Sequence, residues 1–288
     1  MMLSPAADSE FAFTTPDFEK VRGLIHRHAG IALAESKQNM VYSRLARRLR
    51  ALKLRSFGDY LALVEHGVGE EWQSFVNSLT TNLTYFFREP HHFTLLAELL
   101  QSLRDQSRIR LWCAAASTGE EAYSMAMTAI GALGPKASKV EILATDIDTG
   151  ALDTGRRGFY SPQSVCGLEA SLVQRYFLPA GTRPGARAGM PGDMLSILPE
   201  AQALVKFRQV NLQDRKWPVS APFDAIFCRN VLIYFDRPTQ TSVLARFVPL
   251  LQPHGRLFVG HTESFGVLRH LLRLEGRTVY RLAPVPDA

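Results

Sequence analysis

The sequence predicts an α/β fold: a doubly wound, mostly parallel sheet, preceded by an all-helical region and carrying a small antiparallel β insert. Three observations carry that prediction. Everything before Asn82 is patterned at helical period. From Ile109 onward, apolar runs of strand length alternate with helical stretches. Between Arg110 and Met127 an apolar run passes through a turn of small residues into a helix, the unit from which such sheets build a pocket at the carboxyl ends of their strands. The 288 residues suffice for one large domain or two modest ones, and 46% hydrophobic with 21% charged residues is ordinary for a globular chain. There is no apolar run of about 18 residues that could cross a membrane. Met1 to Asp8 lacks the basic-then-apolar layout of a signal peptide and reads as a flexible tail that extends to about residue 12.

The first third reads as four amphipathic helices. Their stripes are Phe18, Val21, Leu24 and Ile25; Val41, Leu45, Leu49 and Leu52; Tyr60, Leu61 and Val64; and Trp72, Phe75, Val76 and Leu79. The second stripe is flanked by Arg44, Arg47, Arg48, Arg50, Lys53 and Arg55, with no acid between Glu35 and Asp59. At about 100° per residue, Arg44, Arg48 and Arg55 fall together beside the stripe and Arg47 lies just beyond. A one-signed flank on a chain of net charge +6 points to an acidic partner rather than to a merely solvated face.

A linker and a connecting helix (82–108) lead into the alternating region. The apolar run Ile109 to Cys113 is the first strand, and Tyr123, Met127 and Ile130 mark the helix that opens at Gly119-Glu120-Glu121. Val140 to Thr145, ending at Asp146, is the second strand and Val205 to Arg208 the third. Phe223 to Cys228 is a continuous apolar strand, followed by a helix from Pro238 to Leu251, a strand at Leu257 to Val259, and a hairpin over Leu271 to Leu282 about Gly276-Arg277. Pro179 to Pro199 is rich in Gly and Pro between short strand-like runs, Tyr176 to Leu178 and Met194 to Leu198. A structureless loop of that length is rare in a compact domain, so an antiparallel insert over about 176–208, pairing with the start of the Val205 strand, is expected. Of the three cysteines, Cys113 and Cys228 sit in apolar strand runs and read as buried thiols; with Cys166 they form no metal spacing.

Polar residues at strand ends are the site candidates: Ser117, Thr118, Glu120 and Glu121 after the first strand, Asp146 after the second, Asn211 and Leu212 after the third, Arg229 and Asn230 after the fourth. Two carboxylates at a helix N-terminus would repel a phosphate that such a terminus otherwise attracts. They suit a ligand with hydroxyls and positive charge, and an acid such as Asp146 suits ribose hydroxyls.

In order along the chain stand Asn82-Leu-Thr-Tyr-Phe-Phe-Arg-Glu89, Ser117-Thr-Gly-Glu-Glu121, Ala144-Thr-Asp-Ile-Asp148, Phe223-Asp-Ala-Ile-Phe-Cys-Arg-Asn-Val-Leu-Ile-Tyr-Phe-Asp236 and Gly260-His-Thr-Glu-Ser264. Together, over about Phe13 to Leu282, they resemble the chemotaxis receptor glutamate methyltransferases, the CheR family. The resemblance implies a Rossmann-like methyltransferase domain (109–288) that binds S-adenosylmethionine, and a helical receptor-docking domain (13–81). The reaction it implies is methyl transfer to glutamate side chains of membrane chemoreceptors, leaving S-adenosylhomocysteine and a glutamyl methyl ester, with no metal.

Carried over motif by motif, Asn82, Thr84 and Arg88 become cofactor-site residues of the linker. One of Glu120 and Glu121, with Glu121 favoured, lies at the cofactor, and Asp146 holds the ribose. Asn211 and Leu212 flank the adenine, and Arg229 and Asn230 close the site. Arg88 and Tyr234 form the pair nearest the reacting methyl, Tyr234 either touching the acceptor or only walling the pocket. Arg44, Arg47, Arg48 and Arg55 would dock the acidic methylation helices of the receptor. The insert would take up a tethering peptide at the receptor C-terminus. The resemblance further implies a cytoplasmic monomer recruited to chemoreceptor arrays, neither a membrane protein itself nor a binder of nucleic acid. Adenine methyltransferases show an Asn/Asp-Pro-Pro-aromatic turn where Arg229 to Tyr234 stands here. A non-catalytic member that only senses the cofactor or acts as a scaffold is the alternative. The chain departs from the family pattern at Ala114-Ala-Ala116, at Ala122 and at Pro253-His-Gly255.

Overall fold

A computed structural model describes residues 10–66, 69–182, 193–220, 222–263 and 270–284. Four helices open the chain: α1 (Thr15–Ala29), α2 (Gln38–Leu52), α3 (Phe57–Val64) and α4 (Gly69–Leu79). Local chemistry starts and stops α1. The Thr14 hydroxyl accepts the Asp17 N–H, the Asp17 carboxylate accepts the Thr14 N–H at 2.9 Å, and Gly30 closes the helix at φ +71°. The four expected stripes meet in one core built from Leu24, Val41, Leu45, Phe57, Tyr60 and Phe75. Leu52 does not join it; at the last position of α2 it is 37% exposed.

Helix α5 (His91–Ser102) then leads to a seven-stranded sheet of order β6-β2-β1-β7-β8-β10-β9. Its strands are β1 (Ile109–Ala114), β2 (Val140–Asp146), β6 (Val205–Gln209), β7 (Phe223–Cys228), β8 (Leu251–Val259), β9 (Leu272–Gly276) and β10 (Val279–Leu282). The first five run parallel, and β10 is antiparallel to both neighbours. Every residue of β7 is buried, as a strand covered on both faces requires. One apolar core fills the face carrying α5 and α6 (Glu120–Leu133); the other packs Trp112, Phe223 and Phe227's neighbours Ile226 and Cys228 against α11 (Arg237–Phe247). The last helix is shorter than its apolar pattern suggests. It ends at Phe247, gives way to a 3-10 turn over Val248–Leu250, and β8 already begins at Leu251. Pro249 explains the break, since it has no N–H to continue the α ladder.

Between β2 and β6 come α7 (Thr149–Arg157), β3 (Phe159–Tyr160), α8 (Pro162–Val165), α9 (Ala170–Tyr176), β4 (Phe177–Pro179), β5 (Leu195–Ile197) and α10 (Pro199–Ala203). The expected antiparallel insert is present as a separate sheet of order β3-β5-β4. Its pairing differs from expectation. β5 pairs with Phe159–Tyr160, not with the start of β6, because α10 turns the chain between the two strands. Residues 183–192 of the insert, 1–9 of the tail and Ser264 of the Gly260 motif lie outside the described residues.

The helical region sits on the carboxyl ends of the strands. Gln73 donates to the Ile147 carbonyl at 3.0 Å, Asn77 to the Thr149 hydroxyl at 2.9 Å, and Asn211 to the His28 carbonyl at 2.5 Å. The Ala32 N–H donates to the Tyr234 carbonyl at 2.8 Å. A Cβ on Gly30 would collide with the Gln213 side chain, so the end of α1 lies directly against the loop after β6.

Candidate active site

Strand order reverses at β1, between β2 and β7, and a cleft of about 520 Å³ opens there. That volume suits a nucleoside-sized ligand. Ala115, Ser117, Glu121, Asp146, Asn211, Leu212, Arg229, Asn230 and Tyr234 line it from the sheet side, and Asn82, Thr84 and Arg88 from the linker. One wall comes from the helical region: Ile31, Ala32, Leu33, Lys37 and Met40. Sequence reasoning missed this wall, because Ile31 to Leu33 follow the end of α1, and Lys37 and Met40 stand at the start of α2, with no pattern that aims them at a distant strand.

Glu120 is the exception among the expected cofactor residues, since it does not line the cleft. Its carboxylate accepts the Thr118 hydroxyl at 2.6 Å, and burial raises its pKa. Glu121 does line the cleft, but not as a free anion. Arg229 Nη1 donates to it at 2.8 Å and the Cys113 thiol at 3.3 Å. Burial raises the Glu121 pKa and the charge of Arg229 opposes the rise. Neither carboxylate is free: one is turned onto a hydroxyl and the other is paired with an arginine that it shares with Glu89.

Arg229 is fully enclosed, its side chain 0% exposed. Besides Glu121 it donates to the Arg88 carbonyl and stands 3.5 Å from the Glu89 carboxylate. Burial pushes Glu89 up, but hydrogen bonds from His261 and the charge of Arg229 leave its pKa below the ordinary carboxylate range. A buried arginine held between two acids and a carbonyl stitches the linker to β7. Both its terminal nitrogens donate within the protein, while Nε is buried without a partner.

Asp146 ends β2 with its oxygens taken by two backbone donors, the Ser117 N–H at 2.8 Å and the Asp148 N–H at 2.9 Å. Burial raises its pKa from 3.8 to about 6 against those bonds. Ionised above that pH, with lone pairs left at the cleft, it can accept hydroxyl donors.

Asp148 and Glu263 have structural work that sequence reasoning did not assign. Asp148 caps α7 through the Ala151 N–H at 3.0 Å and accepts the Thr80 hydroxyl at 2.6 Å and the Asn82 amide at 2.7 Å. It thus fastens the linker beside Asp146. The Asp two residues beyond a strand-end acid, followed by Thr-Gly, was the available signal for such a cap. Glu263, buried at the end of β8, accepts the N–H groups of Gly260 at 2.7 Å, Leu232 at 2.8 Å and Asn230 at 3.0 Å. It holds the turn that carries Asn230 and Tyr234.

The cleft is lined by strained backbone. Ala115 (φ +68°), Ser117 (+50°) and Asn230 (+56°) are left-handed without being glycine, as are Phe87 (+54°) and Glu89 (+57°) on either side of Arg88. Such residues cost about 1–3 kcal/mol each and persist where the surroundings over-determine them.

Arg88 has looser ties. Its Nη1 donates to the Leu83 carbonyl at 3.0 Å and its guanidinium lies 5.7 Å from the Tyr85 ring. The four arginines expected on α2 separate into two kinds. Arg48 forms a two-pronged pair with Glu71, at 3.0 Å through Nε and 2.5 Å through Nη2, and Tyr60 donates to the same carboxylate at 2.9 Å. Arg44 donates to the Ser78 and Thr80 carbonyls at 3.4 and 2.7 Å. Both are committed within the fold. Arg47 and Arg55 are exposed.

Residues 82–280 match the family described as CheR methyltransferase, SAM binding domain, and residues 16–80 match CheR methyltransferase, all-alpha domain. The chain is 50% identical over 274 residues to chemotaxis protein methyltransferase 2 of Pseudomonas aeruginosa, covering 95% of each. It is 47% identical over 273 residues to the chemotaxis protein methyltransferase of Escherichia coli, covering 94% of this chain and 92% of that one. A probable chemotaxis protein methyltransferase of Rhizobium etli is 38% identical over 266 residues, 90% of this chain and 96% of its own.

Proposed function

The chain belongs to the CheR methyltransferase family, and from that premise we propose that it methylates glutamate side chains on the cytoplasmic helices of membrane chemoreceptors. One observation carries the choice of acceptor. Arg88 is a cation at a cleft whose lining, among the described residues, has no histidine or cysteine and no carboxylate without a partner. An amine or hydroxyl acceptor would need a base to take its proton. A glutamate carboxylate, with a reference pKa of about 4.3, arrives already ionised.

When bound, S-adenosylmethionine would supply an electrophilic methyl group on a sulfonium, whose transfer to the carboxylate oxygen would give the ester and a neutral thioether. Among the residues that line the cleft, Asp146 would accept the ribose hydroxyls, Asn211 and Leu212 would flank the adenine, and Asn82, Thr84 and Asn230 would close over the cofactor. Arg229 positions Glu121 and the linker. Arg88 holds the incoming carboxylate by charge-assisted hydrogen bonds, with Tyr234 beside it. Because the reaction consumes both charges, what the protein supplies is orientation and exclusion of water. Well-aligned geometry is worth roughly 7–11 kcal/mol of barrier. Too firm a grip by Arg88 would stabilise the ground state.

The acidic receptor helix is steered by Arg47 and Arg55, the two outward-facing arginines. A receptor tail adds to the edge strand β4 of the small sheet, which would raise the local substrate concentration to around millimolar. The protein acts in this reading as a cytoplasmic monomer recruited to receptor arrays.

The test is transfer of radiolabelled methyl from S-adenosylmethionine to receptor membranes. Alkali-labile label in the receptor is expected. Alkali-stable label, or none with any receptor, would overturn the reading.

A further inference from the structure

Among the described residues, five buried side-chain nitrogens and oxygens have no hydrogen-bond partner, and four of them share one neighbourhood: Glu89 Oε2, His91 Nε2, His92 Nδ1 and Arg229 Nε. Glu89, His91 and His92 each offer one lone-pair atom, and these three lie within 4.8 Å of one another. Glu89 Oε2 stands 3.6 Å from His92 Nδ1. That contact joins two acceptors. His92 donates through Nε2 to the Thr278 hydroxyl at 2.9 Å, and Thr278 passes its own hydrogen to the Arg277 carbonyl at 2.7 Å. The ring is fully enclosed, which favours its neutral form, and Nδ1 is then a bare lone pair facing a carboxylate. Arg229 does not resolve the conflict. Its one guanidinium already serves both Glu121 and Glu89, so two carboxylates share a single positive charge. Buried acceptors held together in this way call for a cation or a hydrogen donor between them.

We propose that Glu89, His91 and His92 form a binding site for one divalent transition-metal ion of the zinc type, beside the cofactor cleft. Two imidazoles and one carboxylate suit a borderline cation, whereas calcium and magnesium prefer oxygen alone. Bonds of about 2.0–2.1 Å put the ligand atoms of a tetrahedral ion roughly 3.4 Å apart. Glu89 and His92 already keep 3.6 Å. The third ligand, His91, opens α5 and is half-buried, so its ring can close over the ion and leave a fourth position to water. The residues behind the ligands are those a metal site needs. Thr278 fixes the tautomer of His92, and His261 holds the other Glu89 oxygen through its N–H at 3.3 Å and its ring at 3.1 Å. None of the three ligands lines the cleft, so the ion does not touch the cofactor. It acts through the chain: Glu89 directly follows Arg88, and tying it to α5 fixes the linker at the reacting end.

The experiment uses the full chain, stripped with a chelator and carrying Cys166→Ser so that the exposed thiol cannot ligate. Calorimetric titration with Zn2+ should show one ion bound per chain, and Co2+ should give the visible bands of a four-coordinate site. His91→Ala and His92→Gln should each weaken Zn2+ binding by about tenfold or more and abolish the Co2+ bands. His66→Ala, at an exposed histidine of the helical region, should change neither. Zn2+ should raise the Tm of the parent and not that of the two ligand variants. If His92→Gln fails to fold, His91→Ala decides alone, since its position is half-buried. Two results would overturn the site. Absence of Zn2+ binding would assign the orphaned atoms to a buried water. Binding of equal affinity in the ligand variants would mean an adventitious ion only.

Discussion

The floor and the mouth of the cleft are built on opposite principles. On the floor, Asp146 and Glu121 are buried and each accepts two hydrogen bonds, Arg229 is enclosed between acids, and Glu263 buttresses the turn behind them. At the mouth, Leu83, Tyr85 and Ile233 are exposed, and the guanidinium of Arg88 is held by one carbonyl and the face of the Tyr85 ring. A cofactor is the same molecule at every turnover, so its groups can be met by a fixed set of partners and left-handed backbone. A protein acceptor must enter and leave. The residues that meet it stay partly unsatisfied until it comes, and the fold gives up some stability to keep them so.

The floor can be broken most severely at Arg229. Arg229→Met should lower stability by about 3–5 kcal/mol in urea titration, because it strands Glu121, and to a lesser degree Glu89, as buried carboxylates without a counter-charge. Loss of cofactor binding should accompany it. A variant of unchanged stability would mean that Glu121 is neutralised by protonation instead.

Two substitutions should separate floor from mouth in kinetics. Arg88→Ala should lower kcat by roughly 100-fold while the Kd for S-adenosylmethionine changes little, since the lost contact is to the acceptor. Asp146→Asn should do the reverse, weakening cofactor binding by about 1.5–3 kcal/mol, the worth of hydrogen bonds to a charged group. The pH dependence sharpens this split. With its pKa raised from 3.8 to about 6, Asp146 in the folded protein holds a proton through that window that the unfolded chain has already lost. Its ionisation therefore costs stability as pH rises, yet ribose hydroxyls need the ionised form. Cofactor affinity should fall as pH drops below about 6, and calorimetric titration of Asp146→Asn should lose that dependence.

The contrast recurs on α2. Arg48→Ala should destabilise the protein by about 1–2 kcal/mol, since the half-buried Glu71, 15% exposed with Arg48 in place, would keep only Tyr60 as partner. Arg47→Ala should leave stability unchanged and raise the KM for receptor, with a weaker dependence of KM on salt. Equal effects of the two on KM would mean that Glu71 releases Arg48 when the receptor docks.

How far all this could be read from sequence depends on where each partner sits. The bounds of β7 follow from the residues themselves, because a strand buried on both faces is apolar at every position. The stripes of α1 to α4 are legible for the same reason. Helical phase sets Arg48 beside the apolar stripe and Arg47 just beyond it, but not that Glu71, on another helix, pairs with Arg48. Glu120 and Glu121 are likewise adjacent and identical in type, and what separates them is Arg229, 108 positions away. The two-residue strand β3 has no period to detect, so the pairing of β5 went to the nearest visible strand instead. Composition and spacing report local burial. They do not report which distant group a charge will meet.

The smallest expected effect tests whether the floor's strain is real. Ala115 stands at φ +68° in the loop after β1, where an L side chain crowds the following carbonyl at a cost of roughly 1–2 kcal/mol. Glycine would remove that cost and add about 0.5–1 kcal/mol of unfolded-chain entropy, so Ala115→Gly should stabilise by about 0.5–1 kcal/mol with cofactor affinity unchanged. Gly119→Ala, at φ +98° in the same loop, should do the opposite and by more. Its new methyl would stand 3.0 Å from Gly155 Cα and 3.0 Å from the Tyr160 hydroxyl. Thermal unfolding of the pair separates the two sources of cost. If Ala115→Gly were destabilising, the left-handed turn would be paid for by packing of the alanine methyl rather than held against strain, and the floor would be less strained than its dihedral angles imply.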